Sequence, residues 1–184
     1  MLAPRLRFEH GDVFGLQFED DAFDLTVCRH VLHAVPHADR VVAELARVTC
    51  PGGRLHLIPE DYGMLHFARA ALDPREFWNA AVPSFGKATG TDLYVGRHTY
   101  GILAALGLDE IAVEYVVVDP LHAPREAFAQ ILEAWRDGYA DAIGELTPIS
   151  REQTIAYFDQ MAANVRDPRG YAVWMVPVWS ARVR

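Results

Sequence analysis

Cysteine is nearly absent. Cys28 and Cys50 are the only two among 184 residues. One falls inside an apolar run and the other just before a turn, so they frame no disulfide scaffold and fit a reducing, cytoplasmic setting. No apolar run approaches the roughly 20 residues that span a bilayer, and no signal peptide opens the chain. Basic blocks are missing as well. The formal charge is −8, from 17 basic and 25 acidic residues, which argues against nucleic acid as a partner because phosphate binding needs clustered Lys and Arg. There is no internal repeat, no low-complexity tract and no Gly-x-Ser-x-Gly. Neither cysteine has a base paired with it, so nucleophilic catalysis lacks a pattern. His30, His33 and His37 are spaced by three and four, but Pro36 interrupts that face and the zinc-helix motif with its internal Glu is absent. No metal site is expected.

What the chain does have is a 51% apolar share, enough for one domain with a core. Residues 6–13 read as a strand ending at Gly11-Asp12, which leaves a carboxylate at its carboxyl edge. Residues 23–28, FDLTVC, are a compact apolar run bounded by acids, as expected of a buried parallel strand. Val41, Val42, Leu45 and Val48 predict an amphipathic helix over 37–48, with Glu44 and Arg47 paired on one face. Pro51-Gly52-Gly53 turns the chain into a strand over 54–58. Strand, helix and strand in this rhythm describe an open parallel sheet, whose ligands sit beyond the carboxyl ends of the strands.

The order and spacing of Gly11-Asp12-Val13, Leu16-Gln17-Phe18, Ala22-Phe23-Asp24-Leu25, Val31-Leu32-His33 and Glu44-Leu45-Ala46-Arg47-Val48 before Pro51-Gly52-Gly53 resemble the class I, Rossmann-like S-adenosylmethionine-dependent methyltransferases. The resemblance implies an α/β fold: a mostly parallel sheet with an antiparallel final strand pair. Such enzymes open with a strand, a glycine-rich turn and a helix, then a strand ending in an acid that holds the ribose. Only seven residues precede Phe8 here and none is glycine, while a βα unit with its returning strand needs about 30 residues. A single domain over 1–184 lacking the first two βα units is therefore expected.

Beyond Glu60 the motifs weaken. Residues 60–91 read as irregular with one short helix over 74–81. A helix over 96–106 ends at Gly107, and 110–118 is a strand. A long helix over 124–143 carries Phe128, Ile131, Leu132, Trp135 and Tyr139 on one side. Ser150 caps a helix through Val165, with Glu152 and Gln153 near the capping-box position. Residues 171–183 form the last strand, broken or bulged near Pro177. Segments 60–91 and 120–168 lie outside the minimal fold and are expected to cover the substrate side.

The resemblance also implies roles. Asp12 would accept from the adenine amino group, with Gly11 beside it and the Val13 backbone N–H meeting the ring. The plain alternative is a solvated turn aspartate. Cys28 and Arg29 end the next strand, where backbone contacts the cofactor's amino-acid end; Cys28 also reads as a small buried hydrophobe and Arg29 as a surface cation. His33 is the candidate base, needed only for a hydroxyl or protonated amine acceptor, and it also reads as a helix-start histidine bonded to backbone. Glu60, Asp61 and Tyr62 leave the fifth strand facing the acceptor. Successive side chains diverge, so one carboxylate orients substrate while the other is solvated. His66, Phe67, Phe77, Trp78 and Phe85 line a pocket or simply form the core of a cover. The expected function is methyl transfer from S-adenosylmethionine to a small-molecule acceptor, impaired in this chain. The alternative is a non-catalytic remnant of the fold whose exposed edges are covered by another copy.

Overall fold

A computed structural model describes residues 6–68 and 71–184. Of the seven residues before Phe8, the first five lie outside the described residues. The strands are β1 (Phe23–Arg29), β2 (Thr49–Ile58), β3 (Leu65–Phe67), β4 (Asp109–Val118) and β5 (Ala172–Arg182). The helices are α1 (Ala38–Arg47), α2 (Pro74–Thr89), α3 (Val95–Ala105), α4 (Arg125–Leu146) and α5 (Arg151–Arg166).

The strands form one sheet in the order β1-β2-β5-β3, with β4 on the other side of β5. β1 and β2 are parallel, whereas β5 is antiparallel to β2, β3 and β4. Four described strands thus run one way and β5 alone runs against them. The mostly parallel sheet with an antiparallel final pair, β4 and β5, is what the resemblance implied.

Pro51-Gly52-Gly53 lies inside β2 as a bulge, between the Phe23–Thr49 and Leu25–Arg54 pairs. Gly52 takes φ +85°, and a Cβ on Gly53 would meet Cys50 O at 2.8 Å and Asp24 O at 2.9 Å. The β2 strand therefore starts earlier than the turn suggested. Pro177 does not break β5. It faces Tyr115 of β4, and on the opposite edge it lies between Trp174, paired with β3, and Trp179, paired with β2. A residue without an N–H is tolerated in that interval.

Two cores flank the sheet. Val41, Val42 and Leu45 of α1 and Val95 and Leu103 of α3 pack on Leu55, Leu57, Trp179 and Ala181. Phe77 of α2, Phe128 and Leu132 of α4, and Phe158 and Met161 of α5 pack on Trp174 and Val176. The face opposite α1 is bare at β1. This corrects the expectation of a buried strand: Leu25 and Val27 are each 56% exposed, and only Thr26 and Cys28, which alternate with them on the α1 side, are buried. Inside, the Thr26 and Thr49 hydroxyls pair at 2.8 Å, and Thr49 also donates to Leu45 O.

Two further expectations are corrected. Residues 6–13 form no strand, and Phe8 is 89% exposed. No described strand lies beside this segment, and a strand without a partner leaves its N–H and C=O groups unpaired. Gly11-Asp12 is instead a turn, in which Asp12 Oδ1 accepts from the Phe14 N–H at 2.9 Å. Segment 60–91 is more ordered than expected: it contains a 3-10 turn (Tyr62–Met64), β3, and a helix running on past Pro83 to Thr89. The helix starts under an Asp73 cap with Pro74 in its first turn. Proline and glycine within it hid its second half from the periodicity.

Candidate functional site

A cavity of about 270 Å³ lies between the turns that follow β1 and β2 and the helices α2 and α4. His33, Tyr62, Trp78, Phe85, Trp135 and Tyr139 are among the residues lining it, and apart from Thr89 and Thr91 the rest of the wall is apolar. Each side comes from a recognisable piece of chain. His33 sits on the turn after β1, which is pinned where Ala34 N–H bonds Val31 O and Pro36 bridges Thr91. Tyr62 follows β2. Phe77, Trp78 and Phe85 belong to α2, while Trp135 and Tyr139 stand four apart on α4 and so share a helix face. Residues 60–91 and 120–168 supply most of the wall.

Tyr62 holds the aromatic set together. Its ring stacks on Trp78 at 5.7 Å between centroids, and it meets Trp135 and His33 edge-on at 5.4 and 5.9 Å. Burial, with the Glu60 carboxylate nearby, pushes the Tyr62 hydroxyl well above its ordinary pKa of 10.0, so it stays protonated.

Glu60 is buried behind this wall. Its Oε1 lies 2.8 Å from His30 Nδ1, and its Oε2 lies 3.6 Å from His33 Nε2. Burial lowers the His33 pKa below 6.5; Glu60 opposes that and His30 adds to it. His33 is therefore a neutral imidazole near pH 7. Its Nδ1, like Trp78 Nε1, is a buried polar atom without a hydrogen-bond partner.

Asp61 turns the other way, as divergent neighbours must. It is fully buried rather than solvated, which corrects the expectation for the second carboxylate. Its oxygens receive Arg97 Nε and Nη2, each at 2.7 Å, the Arg97 backbone N–H at 3.1 Å and the Gly63 N–H at 2.9 Å. Glycine is required on both sides of this clamp. A Cβ on Gly63 would overlap Arg97 Nη2, and one on Gly96 would lie 2.7 Å from Asp61 Cβ and 2.8 Å from Pro177 Cγ. Gly96 also donates to Glu60 O and accepts from Trp179 Nε1. The clamp fixes where β2 ends, and with it the direction of Glu60 and Tyr62.

The other sequence-derived residues are dispersed around this centre. Cys28 is buried at the end of β1, where burial pushes its thiol up to about 11. Arg29 and His30 line a second hollow with Glu60, Ile58 and Trp135, at the last residues of β1 and β2. Gly11 and Asp12 are exposed and Val13 is half-buried, in the segment preceding β1. That segment is anchored below: Glu44 accepts from the Leu16 N–H, and Arg47 reaches Glu44, Asp20, Phe18 O and Leu16 O. His66 is exposed on β3, and Phe67 packs on the core rather than the cavity wall. Trp135 and Tyr139 had been read only as an apolar helix face, and Arg97 carried no sequence signal. Among the described residues no group of His, Cys, Asp and Glu is placed to hold a metal ion, and no helix is long and apolar enough to cross a membrane.

Residues 2–57 match a family model described as a methyltransferase domain. The resemblance to class I, Rossmann-like S-adenosylmethionine-dependent methyltransferases therefore holds over the stretch that carries its motifs, and S-adenosylmethionine is the cofactor of that class. Within it, phthiotriol/phenolphthiotriol dimycocerosates methyltransferase 1 of Mycobacterium ulcerans is 44% identical over 52 residues, 28% of this chain and 19% of that protein. The uncharacterized methyltransferase YcgJ of Bacillus subtilis is 38% identical over 60 residues, 30% of this chain and 24% of that one. The matches thus span only about a fifth to a quarter of these curated relatives. The solved YcgJ structure aligns with 97% of this chain and 71% of its own, at 20% identity and a TM-score of 0.51. A candidate methyltransferase from Bacillus halodurans C-125 aligns with 97% of this chain and 78% of its own, at 16% identity and a TM-score of 0.55. These two structures show the fold.

Proposed function

We propose that this site serves methyl transfer from S-adenosylmethionine to a small-molecule acceptor. The observation that carries the proposal is the aromatic cavity with His33 and Tyr62 in its wall, both on the turns that follow the parallel pair β1–β2. When bound, the cofactor supplies an electrophilic sulfonium methyl. Gly11, Asp12 and the Val13 N–H would hold its adenine, and the strand end at Cys28 and Arg29 its amino-acid end. The site's task is to hold the acceptor close and aligned. His33, neutral and buried, takes the acceptor's proton. Glu60 favours the tautomer with the imidazole proton on Nε2, which makes it a positioning residue. Tyr62 shapes the wall. Asp61, once read with them, spends its oxygens on Arg97 and Gly63 and supports the site from behind.

The residues present fit the rim of the cofactor rather than a full cradle. Asp12 is an exposed turn residue, and no glycine-rich turn stands before it in this sequence. The chain on its own is accordingly expected to bind the cofactor with a dissociation constant weaker than about 100 μM. Label transfer from methyl-tritiated S-adenosylmethionine at ~1 mM tests the proposal. Label entering small-molecule acceptors with the intact chain, and lost with His33→Ala for hydroxyl acceptors, supports it. No transfer above buffer with a panel of hydroxyl, amine and carbon acceptors would overturn it.

A second reading rests on a different observation. Leu25 and Val27 stand exposed on β1, which on its outer side has no partner among the described residues. An open strand edge beside an apolar face is suited to pairing with a second copy. Light scattering distinguishes the two: a dimer weakened by Val27→Lys favours assembly, and a monomer at high concentration removes it.

A further inference from the structure

Resting on the transfer reading, we propose that the cavity's acceptor is a flat, uncharged aromatic hydroxy compound. Shape is the first argument. Tyr62 and Trp78 lie with their rings 14° from parallel, and Trp135 closes the set edge-on to both. Planar faces and edges of this kind receive another ring in stacked or edge-to-face contact, at about 0.5–1.5 kcal/mol per pair beyond area burial. The volume of about 270 Å³ stands near the lower end of ligand pockets, so one or two fused rings suit it.

Charge is the second argument. None of the lining residues is Lys, Arg, Asp or Glu. A carboxylate or phosphate brought inside would be desolvated without a partner. Arg29, the nearby cation, lines the other hollow. An ammonium would meet aromatic faces, but Glu60 sits behind the wall between His30 and His33 rather than in it.

Hydrogen bonding is the third. Two lining residues carry buried polar atoms without partners, His33 Nδ1 and Trp78 Nε1. With the imidazole proton on Nε2 toward Glu60, Nδ1 is an acceptor, while the indole N–H is a donor. A hydroxyl, which both donates and accepts, answers both. As the acceptor oxygen bonds to the methyl carbon, its proton goes to His33. The carbon–sulfur bond breaks with its electron pair left on sulfur, so the sulfonium becomes a neutral thioether.

Isothermal titration of the full chain, without cofactor, tests the ligand class. The probes are 1-naphthol, 1-naphthoate and 1-naphthylmethylammonium. Naphthol is expected to bind at least about tenfold tighter than either ion. Ala81→Phe, which fills the cavity, should abolish that binding, and the milder Val82→Leu should weaken it in a chain whose circular dichroism is unchanged. No naphthol binding, equal binding of an ion, or naphthol binding indifferent to both variants would overturn the inference. Failure of the chain to transfer label from S-adenosylmethionine would overturn the transfer reading while leaving this ligand preference standing.

Discussion

Replacing Asp61 by Ala tests what holds the end of β2. Its carboxylate is fully buried and receives four N–H groups, two from the Arg97 guanidinium and two from backbone. Removing one partner of a buried ion pair costs about 3–5 kcal/mol, because the remaining charge and donors stay desolvated. Here the lower end applies. The Arg97 side chain is 44% exposed and its guanidinium lies 4.9 Å from the centre of the Tyr94 ring, so water and the ring's π face recover part of the loss. The expected cost is thus about 3 kcal/mol, roughly a hundredfold in the unfolding constant. For a domain of this size it lowers the melting temperature by about 6–12 °C. Urea denaturation followed by tryptophan fluorescence measures it. In the Asp61→Ala/Arg97→Ala double variant, part of the loss should return, because the stranded guanidinium is gone. A cost below about 1 kcal/mol in the single variant, or strict additivity in the double, would refute the clamp.

Four other outcomes follow from the same contacts. Gly96→Ala places a methyl against Asp61 and Pro177 and should cost about 1–3 kcal/mol by the same denaturation assay. Thr49→Val strands the buried Thr26 hydroxyl and should cost about 1–3 kcal/mol, whereas Thr26→Val with Thr49→Val should cost less than the sum of the two singles. Because burial lowers the folded-state pKa of His33 below 6.5, the unfolded chain takes that proton first as pH falls. Its contribution to stability is present above pH 6.5 and is lost as pH drops from there toward the folded-state value, so His33→Gln should flatten the stability–pH slope below 6.5 in parallel melts. Ser150→Ala removes the capping box at α5 and should cost about 1 kcal/mol by thermal melting.

Much of the fold was legible because local rules and the tertiary structure agree. The apolar run of β1, the 3.6-residue spacing of Val41, Val42 and Leu45, and the Ser150–Gln153 box each specify an element through short-range physics. Gly107 likewise ends α3 with φ +70°. The misses are non-local. Residues 6–13 look like a strand, yet a strand exists only against a neighbour. Pro83 and Gly86 read as breakers, yet packing of Phe77, Ala81 and Val82 carries α2 through them. Pro177 is tolerated because of which strands lie on either side of it, a fact of topology. Within the site, His33, Glu60 and Tyr62 were found from their position after strands. The cavity's far wall, Trp135 and Tyr139, showed only as a periodic apolar face, and Arg97 could not be paired with Asp61 across 36 residues from sequence alone.

The central proposal is that Gly11, Asp12 and Val13, with the end of β1 at Cys28 and Arg29, hold the methyl donor beside the aromatic cavity. Backbone amide NMR of the labelled chain during titration with S-adenosylmethionine addresses it even when binding is weak. Concerted shifts at Val13, Cys28, Arg29 and His33, absent in Asp12→Ala, are the expected result. No shift at these amides, or shifts confined to the bare face around Leu25 and Val27, would contradict it.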